Sequence, residues 1–451
     1  ILSYGGKALK ILGSSEPSFE CAMCDHVLGS AYYKMDDSEN AIKHLEKAAT
    51  MLEKLGNSKV REVGTIRYAI QILLGHAKMS IGKQEDALKH YRDGVSINEE
   101  LLEPGNPDLA RSYQQAAEAY IEAEEYEEAL NLCMKALPIY TNFYGSNSFE
   151  VASLRRLMAV IYDDLEDFEK VLAQHEIIRP ILVKLGKSKE VSSLDLQSGE
   201  TLISLEKFKE AIVKLKDVVK ETKEASRFHG HALVLIGKAY AEMEENSKAA
   251  KYCKKALNAL KNKKYSLEAG SSLMELGSVY QQINEPDQAM ASLKLAHSIF
   301  KHHPDQLGAS AEIEGQIGGL FLYTGKVKEA LPYLEKSVDM LETIYGKDSI
   351  ELLAVYNHIA IAYLELERYE DALVKFEAAR VISTENHGPE DGDTIAIYCN
   401  LANTYSALER LVAKTYNYSG LGVLLGHLLT FIYSKFTNVE LPSKKMRYDL
   451  I

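Results

Sequence analysis

Hydrophobic and polar positions along this chain repeat as pairs of amphipathic helices, with a period of roughly 42 residues. In most copies a small residue is followed after three positions by an aromatic or large apolar residue, and after twelve positions by Ala. Further apolar or small positions follow that Ala after four and seven residues. The first copy consists of Gly29, Tyr32, Ala41, Leu45 and Ala48. The second copy has Lys78 at the aromatic position, and the fourth has Val171 at the Ala position. Intervals of three, four and seven residues lie on one face of a helix, so the pattern predicts helical hairpins.

Nine copies of this pattern follow one another along the sequence. Their central positions are spaced by 46, 42, 42, 40, 38, 40, 41 and 42 residues. These positions are Ala41, Ala87, Ala129, Val171, Ala211, Ala249, Ala289, Ala330 and Ala372. A tenth copy begins at Ala402 and Tyr405 and then fails. Such regular spacing predicts stacked hairpins, because one hairpin alone leaves much of its apolar face exposed to water.

The five-position pattern resembles the tetratricopeptide repeat over about nine-tenths of the chain. Joints such as Pro104-Gly105, Tyr144-Gly145 and Tyr345-Gly346 after the second helix are similar to those of the kinesin light chain type, and the resemblance is closest to plant kinesin light chain-related proteins. It implies an all-α, right-handed superhelical solenoid of about ten helical hairpins. It also implies a non-catalytic scaffold that links partner proteins to the microtubule cytoskeleton or the cell cortex, with microtubules or calmodulin-binding scaffold proteins as partners.

The alternative function implied by the resemblance is a cargo-binding adaptor subunit of a kinesin motor. Animal light chains carry a heptad coiled coil before the repeats, and this sequence contains no sustained heptad run. The family also places Asn pairs along the cargo groove, whereas only Asn357, Asn400 and Asn403 fit that pattern here. These departures favour the scaffold over the motor subunit.

Three segments are expected. Residues 1–17, which include Ala8, resemble the end of a truncated repeat, and residues 18–410 form the repeat solenoid. Residues 411–451 break the pattern and contain an apolar stretch from Gly420 to Tyr433. That stretch is shorter than the ~20 residues needed to cross a bilayer. A membrane-touching helix, an improvised cap and an altered splice end are the three interpretations, and the abrupt end of the pattern favours the third.

Partner binding is expected in a concave groove lined by the first helix of each hairpin. Residues that flank the small position should point into this groove, where amide side chains offer both donors and an acceptor to a peptide backbone. An alternative for each single residue is an ordinary solvated surface position. The candidates are Gln114, Gln115, Glu118, Arg155, Arg156, Lys238, Glu275, Gln316, Asn357, His358, Asn400 and Asn403.

Charge is distributed unevenly, although the net charge of −13 disfavours nucleic acid and anionic membranes as general partners. Between Lys207 and Lys264 there are fifteen Lys or Arg and seven acidic residues. Such a run is either a set of solvated helix faces or a basic edge for an acidic surface such as tubulin tails. The candidates for the edge are Lys209, Lys216, Lys220, Lys251, Lys255, Lys261, Lys263 and Lys264.

Motifs of catalysis are absent from the sequence, which has no Gly-rich phosphate loop, no H-E-x-x-H and no G-x-S-x-G. Cys21 and Cys24 form a C-x-x-C near His26, but no second ligand pair stands at a suitable spacing for zinc. We therefore expect neither an enzyme nor a cofactor or metal. Five scattered cysteines indicate a reducing compartment and hence a cytoplasmic protein, cytoskeleton-associated or cortical if the resemblance holds.

Overall fold

The computed structural model describes residues 7, 18–55, 61–223, 226–261 and 266–416. These residues contain nineteen α-helices and one short 3₁₀ helix, and no strand occurs among them. The predicted all-α solenoid of tetratricopeptide type is confirmed. Residues 1–6, Ala8, Lys263, Lys264 and the apolar stretch from Gly420 to Tyr433 lie outside the described residues.

Each predicted hairpin consists of a first helix, A, which is odd-numbered, and a second helix, B, which is even-numbered. The A helices are α1 Phe19–Tyr33, α3 Arg61–Met79, α5 Pro107–Glu122, α7 Phe149–Asp164, α9 Ser188–Ser204, α11 Arg227–Glu242, α13 Leu267–Gln282, α15 Leu307–Tyr323, α17 Leu353–Glu365 and α19 Gly392–Tyr416. The B helices are α2 Ser38–Lys54, α4 Gln84–Leu101, α6 Tyr126–Tyr144, α8 Phe168–Lys184, α10 Phe208–Glu221, α12 Asn246–Leu260, α14 Pro286–Phe300, α16 Val327–Tyr345 and α18 Tyr369–Asn386. The 3₁₀ helix Ile350–Leu352 precedes α17.

The chain divides into two compact units, Ile1–Glu221 and Thr222–Ile451. The first unit contains hairpins one to five, and the second contains hairpins six to nine together with α19. Within each unit an A helix packs against the B helix of its own hairpin and against the B helix before it. A helices of consecutive hairpins also contact each other, as α11 and α13 do. The A helices therefore form an inner layer in each unit, and the B helices form an outer layer.

Small residues on the A helices allow the two helices of a hairpin to approach closely. A Cβ atom placed on Gly199 would lie 2.5 Å from Cδ2 of Leu215, and one on Gly318 would lie 2.6 Å from Cδ2 of Leu334. The facing residue is thus the one four positions after the central Ala. This offset arises because a side chain on an antiparallel helix leans toward the N-terminus of its own helix.

Every turn from helix A to helix B contains a residue in the left-handed region, five positions before the central residue of the repeat. Seven of these are not glycine and have φ between 55° and 61°: Asp36, Glu124, Glu166, Glu206, Glu244, Asn284 and Glu367. Gly82 and Gly325 occupy the remaining two turns. In the fifth hairpin the backbone N–H of Glu206 donates to the carbonyl of Ile203 at 2.9 Å, and that of Lys207 donates to Leu202 at 2.8 Å. These bonds end the A helix and turn the chain back.

The tenth copy departs from this plan at the expected turn. By the spacing of the other hairpins its left-handed residue would be Glu409, yet α19 continues as a helix to Tyr416. Ala402, its small position, is exposed, whereas Ala360 at the equivalent position of the ninth hairpin is buried. Within the described residues the last A helix therefore packs against the preceding B helix, α18, but has no B helix of its own hairpin.

Candidate partner-binding site

A groove of about 410 Å³ lies on the inner layer of the C-terminal unit, across three successive A helices. Lys238 of α11, Glu275 of α13 and Gln316 of α15 all line it, although they are far apart in sequence. These three residues come from the candidates chosen by their position beside the small residue. The other lining residues are Ser271, Met274, Ser278, Val279, Gln282, Ala309 and Glu312.

An ion-pair network sets the charge at one wall of this groove. Nζ of Lys238 donates to Oε1 of Glu275 at 3.0 Å, and Nε2 of His231 lies 3.3 Å from Oε2 of the same carboxylate. Burial alone would raise the pKa of Glu275, but the hydrogen bonds and positive charge from His231 and Lys238 hold it below its ordinary value. Glu275 is therefore a fixed carboxylate that joins two neighbouring A helices.

The opposite wall offers hydrogen-bond acceptors on α15. Nε2 of Gln316 donates to Oε1 of Glu312 at 3.0 Å. Oε1 of Gln316 is buried and has no hydrogen-bond partner among the described residues. Burial raises the pKa of the Glu312 carboxyl, and the bond from Gln316 only partly offsets this effect. Because Oε1 of Gln316 is enclosed, the exposed carboxylate of Glu312 is the acceptor that this wall presents to the groove.

Helical spacing explains why the sequence analysis found only part of this groove. Ser271 lies six positions before Gly277, Ser278 one position after it and Gln282 five positions after it. All three side chains point to the same side of α13 as Glu275. Serines carry no charge or aromatic ring that would attract notice in a sequence. Extending the search along the whole inner face of each A helix would have identified them.

Candidates farther along the C-terminal unit lie on α17 and α19. Nδ2 of Asn400 donates to Oδ1 of Asn357 at 3.3 Å, so these two amides bind each other across neighbouring A helices. His358 is half-buried, its ring lies 3.0 Å from a Cβ atom placed on Gly319, and burial lowers its pKa. Asn403 is exposed. Two of these four residues are therefore engaged with each other.

In the N-terminal unit the candidates on α5 are engaged in contacts within the stack. Oε1 of Gln115 accepts a hydrogen bond from Tyr68 of α3 at 2.5 Å. Nε2 of Gln114 donates to Glu118 at 3.0 Å, and its Oε1 accepts from Tyr140 at 3.4 Å. These contacts hold the side chains in fixed positions on the inner face.

The two arginine candidates on α7 differ from each other. Nη1 of Arg155 donates to Oε1 of Gln174 on α8, the B helix of its own hairpin, at 2.9 Å, which turns Arg155 toward its own hairpin. Its Nε is buried and has no hydrogen-bond partner among the described residues. Arg156 is half-buried, and its charge adds to the effect of burial in lowering the pKa of His175 on α8.

The predicted basic edge falls on B helices of both units. Lys209, Lys216 and Lys220 are exposed on α10 in the N-terminal unit. Lys251 and Lys255 are exposed on α12 in the C-terminal unit, and Lys261 follows at its C-terminal end. All six thus lie on the outer layer, opposite the inner face.

The residues that could bind a metal fall into two groups, one on α1 and one near the start of α19. Cys21 is buried on α1, and Cys24 and His26 are half-buried on the same helix. Ligand atoms of His387, Asp391 and Asp393 lie within 4.8 Å of one another on the surface at the start of α19, whose first turn contains Asp393. Exposed acidic groups occur in such clusters without an ion, so this arrangement does not by itself indicate a site.

Two family models, both described as tetratricopeptide repeat, match the chain. One matches residues 67–140, 115–176, 309–380 and 352–413, and the other matches residues 26–51 and 230–259. Together they span more than half of the chain, in register with the hairpins described above.

The chain belongs to the tetratricopeptide repeat family. The family is one of protein-interaction scaffolds that are typically non-catalytic.

Similar proteins agree with this assignment. Kinesin light chain-related 3 of Arabidopsis thaliana is 26% identical over 405 residues, which cover 88% of this chain and 62% of that protein. Kinesin light chain-related 1 of the same plant is 27% identical over 373 residues, covering 81% of this chain and 60% of that protein. The chain thus spans about three-fifths of the length of these relatives.

The fold is shared with a solved repeat structure. The apo form of the quorum sensor NprR from B. thuringiensis matches 79% of this chain and 99% of its own, with a TM-score of 0.50 and 14% identity, which shows the fold alone. In the described part of the chain, no helix is both long and apolar enough to cross a membrane.

Proposed function

We propose that this repeat protein is a scaffold that holds an extended segment of a partner protein in the inner groove of the C-terminal unit. The observation that carries the proposal is the convergence of Lys238, Glu275 and Gln316, from three successive A helices, on one groove. The exposed carboxylate of Glu312 offers an acceptor to backbone or side-chain N–H groups of that segment. Met274 and Val279 give the groove an apolar floor.

Selection from a randomised peptide library on the full chain tests the groove. Peptides that bind the wild-type chain are expected to lose most of their affinity for Ser278→Trp, because the exposed Ser278 lines the groove and an indole ring would fill it. Thr343→Trp, at an exposed position of the B helix α16 outside this groove, is the matched control and should leave the groove-bound peptides bound. Selected peptides that bind Ser278→Trp as tightly as wild type would contradict the proposal.

We further propose that the scaffold is linked to the microtubule cytoskeleton or the cell cortex, in the cytoplasm. The similarity to kinesin light chain-related proteins over 88% of the chain supports this link, as do the exposed lysines on α10 and α12. The acidic surface of a microtubule is the partner that these lysines suit. Pelleting with microtubules at low and high salt tests the link directly.

A cargo-binding adaptor of a kinesin motor is the second candidate, supported by the name shared by the relatives. It requires binding to a kinesin heavy chain. If the purified chain binds a kinesin heavy chain in the absence of microtubules, the adaptor function is favoured. If it does not bind, the scaffold function is favoured.

A further inference from the structure

The outer surface of the sixth and seventh hairpins carries a concentration of positive charge on an otherwise acidic chain. Among the B helices described, α12 alone has no Asp or Glu within its bounds. On the next B helix, α14, the exposed carboxylate is that of Asp287. Seven exposed lysines lie on these two helices or at their C-terminal ends: Lys248, Lys251, Lys254, Lys255, Lys261, Lys294 and Lys301.

Most of these ammonium groups remain available to a partner. Lys251, Lys254 and Lys255 are three and four positions apart, so they lie on one face of α12, opposite the buried Cys253. Lys251 and Lys254 make no ion pair with any described residue. Nζ of Lys255 lies 5.2 Å from the centre of the Tyr252 ring, which leaves its remaining donors exposed.

A pocket of about 290 Å³ opens beside these lysines, between α12, α13 and α14. Its apolar lining consists of Leu260, Leu273, Leu295 and Ile299, and its polar rim consists of Lys261, Ser298 and His302. Nζ of Lys261 donates to Oδ1 of Asn258 at 2.9 Å, which fixes one cation at the mouth. An apolar floor beneath a rim that carries a cation suits a ligand with both an apolar group and negative charge.

We propose that the outer face of α12 and α14 binds an acidic polypeptide segment that inserts one apolar side chain into this pocket. Carboxylates of the segment would pair with Lys251, Lys254 and Lys294, while the inserted side chain leaves water for the floor of Leu260 and Leu295. A long nucleic acid is disfavoured because the chain as a whole carries a net charge of −13. The inference rests on the proposed acidic partner of the α12 lysines and adds to it an apolar anchor.

Two labelled peptides of about twelve residues test the proposal by fluorescence polarisation with the full chain. Both are rich in Glu; one has Leu at its centre and the other has Ser. The Leu peptide is expected to bind about tenfold more tightly, because its side chain is buried in the pocket. Ser298→Trp, which fills the mouth of the pocket without a change of charge, should reduce the affinity of the Leu peptide to that of the Ser peptide.

Charge variants separate the ionic contribution from the apolar one. Lys251→Glu with Lys255→Glu should weaken both peptides, whereas Lys326→Glu with Lys328→Glu, a matched reversal at the exposed start of α16, should weaken neither. Equal affinity of the Leu and Ser peptides for the wild-type chain would contradict the insertion of an apolar side chain into the pocket. It would not affect the proposed link to microtubules. A clear preference for the Leu peptide, in a chain that does not pellet with microtubules, would support the pocket and contradict the microtubule link.

Discussion

Nδ1 of His44 on α2 lies 2.6 Å from Oδ1 of the buried Asp25 on α1. The second hairpin repeats this contact with other residues, since Nδ1 of His90 lies 2.6 Å from Oε1 of Gln71. Both pairs are separated by 19 residues in sequence. The A-helix member stands four positions before the small residue, and the B-helix member stands three after the central Ala. A polar contact at a fixed place thus accompanies the apolar pattern and helps set the register of the two helices.

The fifth hairpin has the most highly charged version of this contact and gives the first prediction. Nε of Arg179 donates to the two carboxylate oxygens of Asp195 at 2.8 and 3.0 Å, and Nζ of Lys214 lies 3.7 Å away. Asp195→Ala would leave two cations without their buried partner and should lower the free energy of unfolding by about 3 kcal/mol. Urea denaturation measures this change. Asp371→Ala, which removes an exposed ion pair with Arg368, should cause a much smaller change.

The left-handed residue between helices A and B gives the second prediction. Glu206 has φ 57°, a conformation that costs a residue with a side chain about 1–2 kcal/mol. Glu206→Gly should therefore stabilise the chain by about 0.5–1 kcal/mol, after the greater flexibility of glycine in the unfolded chain is included. A thermal melt that shows a lower midpoint for Glu206→Gly would contradict this. Glu210→Gly, inside α10 and exposed, should destabilise by about 1 kcal/mol.

Close approach at the small position gives the third prediction. A Cβ atom on Gly318 would lie 2.6 Å from both Cγ and Cδ2 of the buried Leu334, so either this side chain or the α15–α16 pair must shift to admit it. Gly318→Val should lower the free energy of unfolding by about 2 kcal/mol. Gly105, in the joint before α5, has open space around its Cα, and Gly105→Val is expected to be close to neutral. Equal effects of the two substitutions in chemical denaturation would be inconsistent with tight packing at Gly318.

Stability at acid pH gives the fourth prediction. Burial lowers the pKa of His175 to about 4, and the charges of Lys214 and Arg156 act in the same direction. Because the folded pKa lies below the unfolded value of about 6.5, the neutral ring stabilises the fold above that pH, and this contribution is lost as the pH falls toward 4. His175 should account for about 2 kcal/mol of lost stability between about pH 7 and about pH 5.

His175→Gln tests this assignment by chemical denaturation at the two pH values. Burial also lowers the pKa values of His26, His76, His90 and His358, so the variant should keep part of the acid sensitivity. A variant that loses as much stability as the wild-type chain on acidification would show that His175 is not a major contributor.

The sequence predicted the hairpins because their packing depends on residue size at fixed intervals. Gly199 and Gly318 must be small whatever surrounds them, and the same requirement recurs in each copy. The polar register contacts went unnoticed because Asp25 with His44 and Gln71 with His90 share a position without sharing a residue type. Periodicity records size and polarity, and it does not record which donor meets which acceptor.

The candidate site was predicted in part for a similar reason. Lys238, Glu275 and Gln316 were found because helical geometry places the neighbours of a small residue on the inner face. The sequence could not show that Lys238 and Glu275 pair with each other, nor that Asn400 binds Asn357, because these contacts join residues about forty positions apart. The outer pocket between Leu260 and Leu295 also depends on how consecutive hairpins stack, which spacing alone does not give.

The most direct test of the proposed link to the cytoskeleton is co-sedimentation of the full chain with polymerised microtubules at low and high salt. The account predicts that the chain pellets at low salt, is released at high salt, and fails to pellet when Lys251 and Lys255 are both changed to Glu. Lys326→Glu with Lys328→Glu should pellet as the wild-type chain does. A chain that stays in the supernatant at both salt concentrations, or a Lys251→Glu, Lys255→Glu variant that pellets unchanged, would contradict a direct contact through the outer lysines.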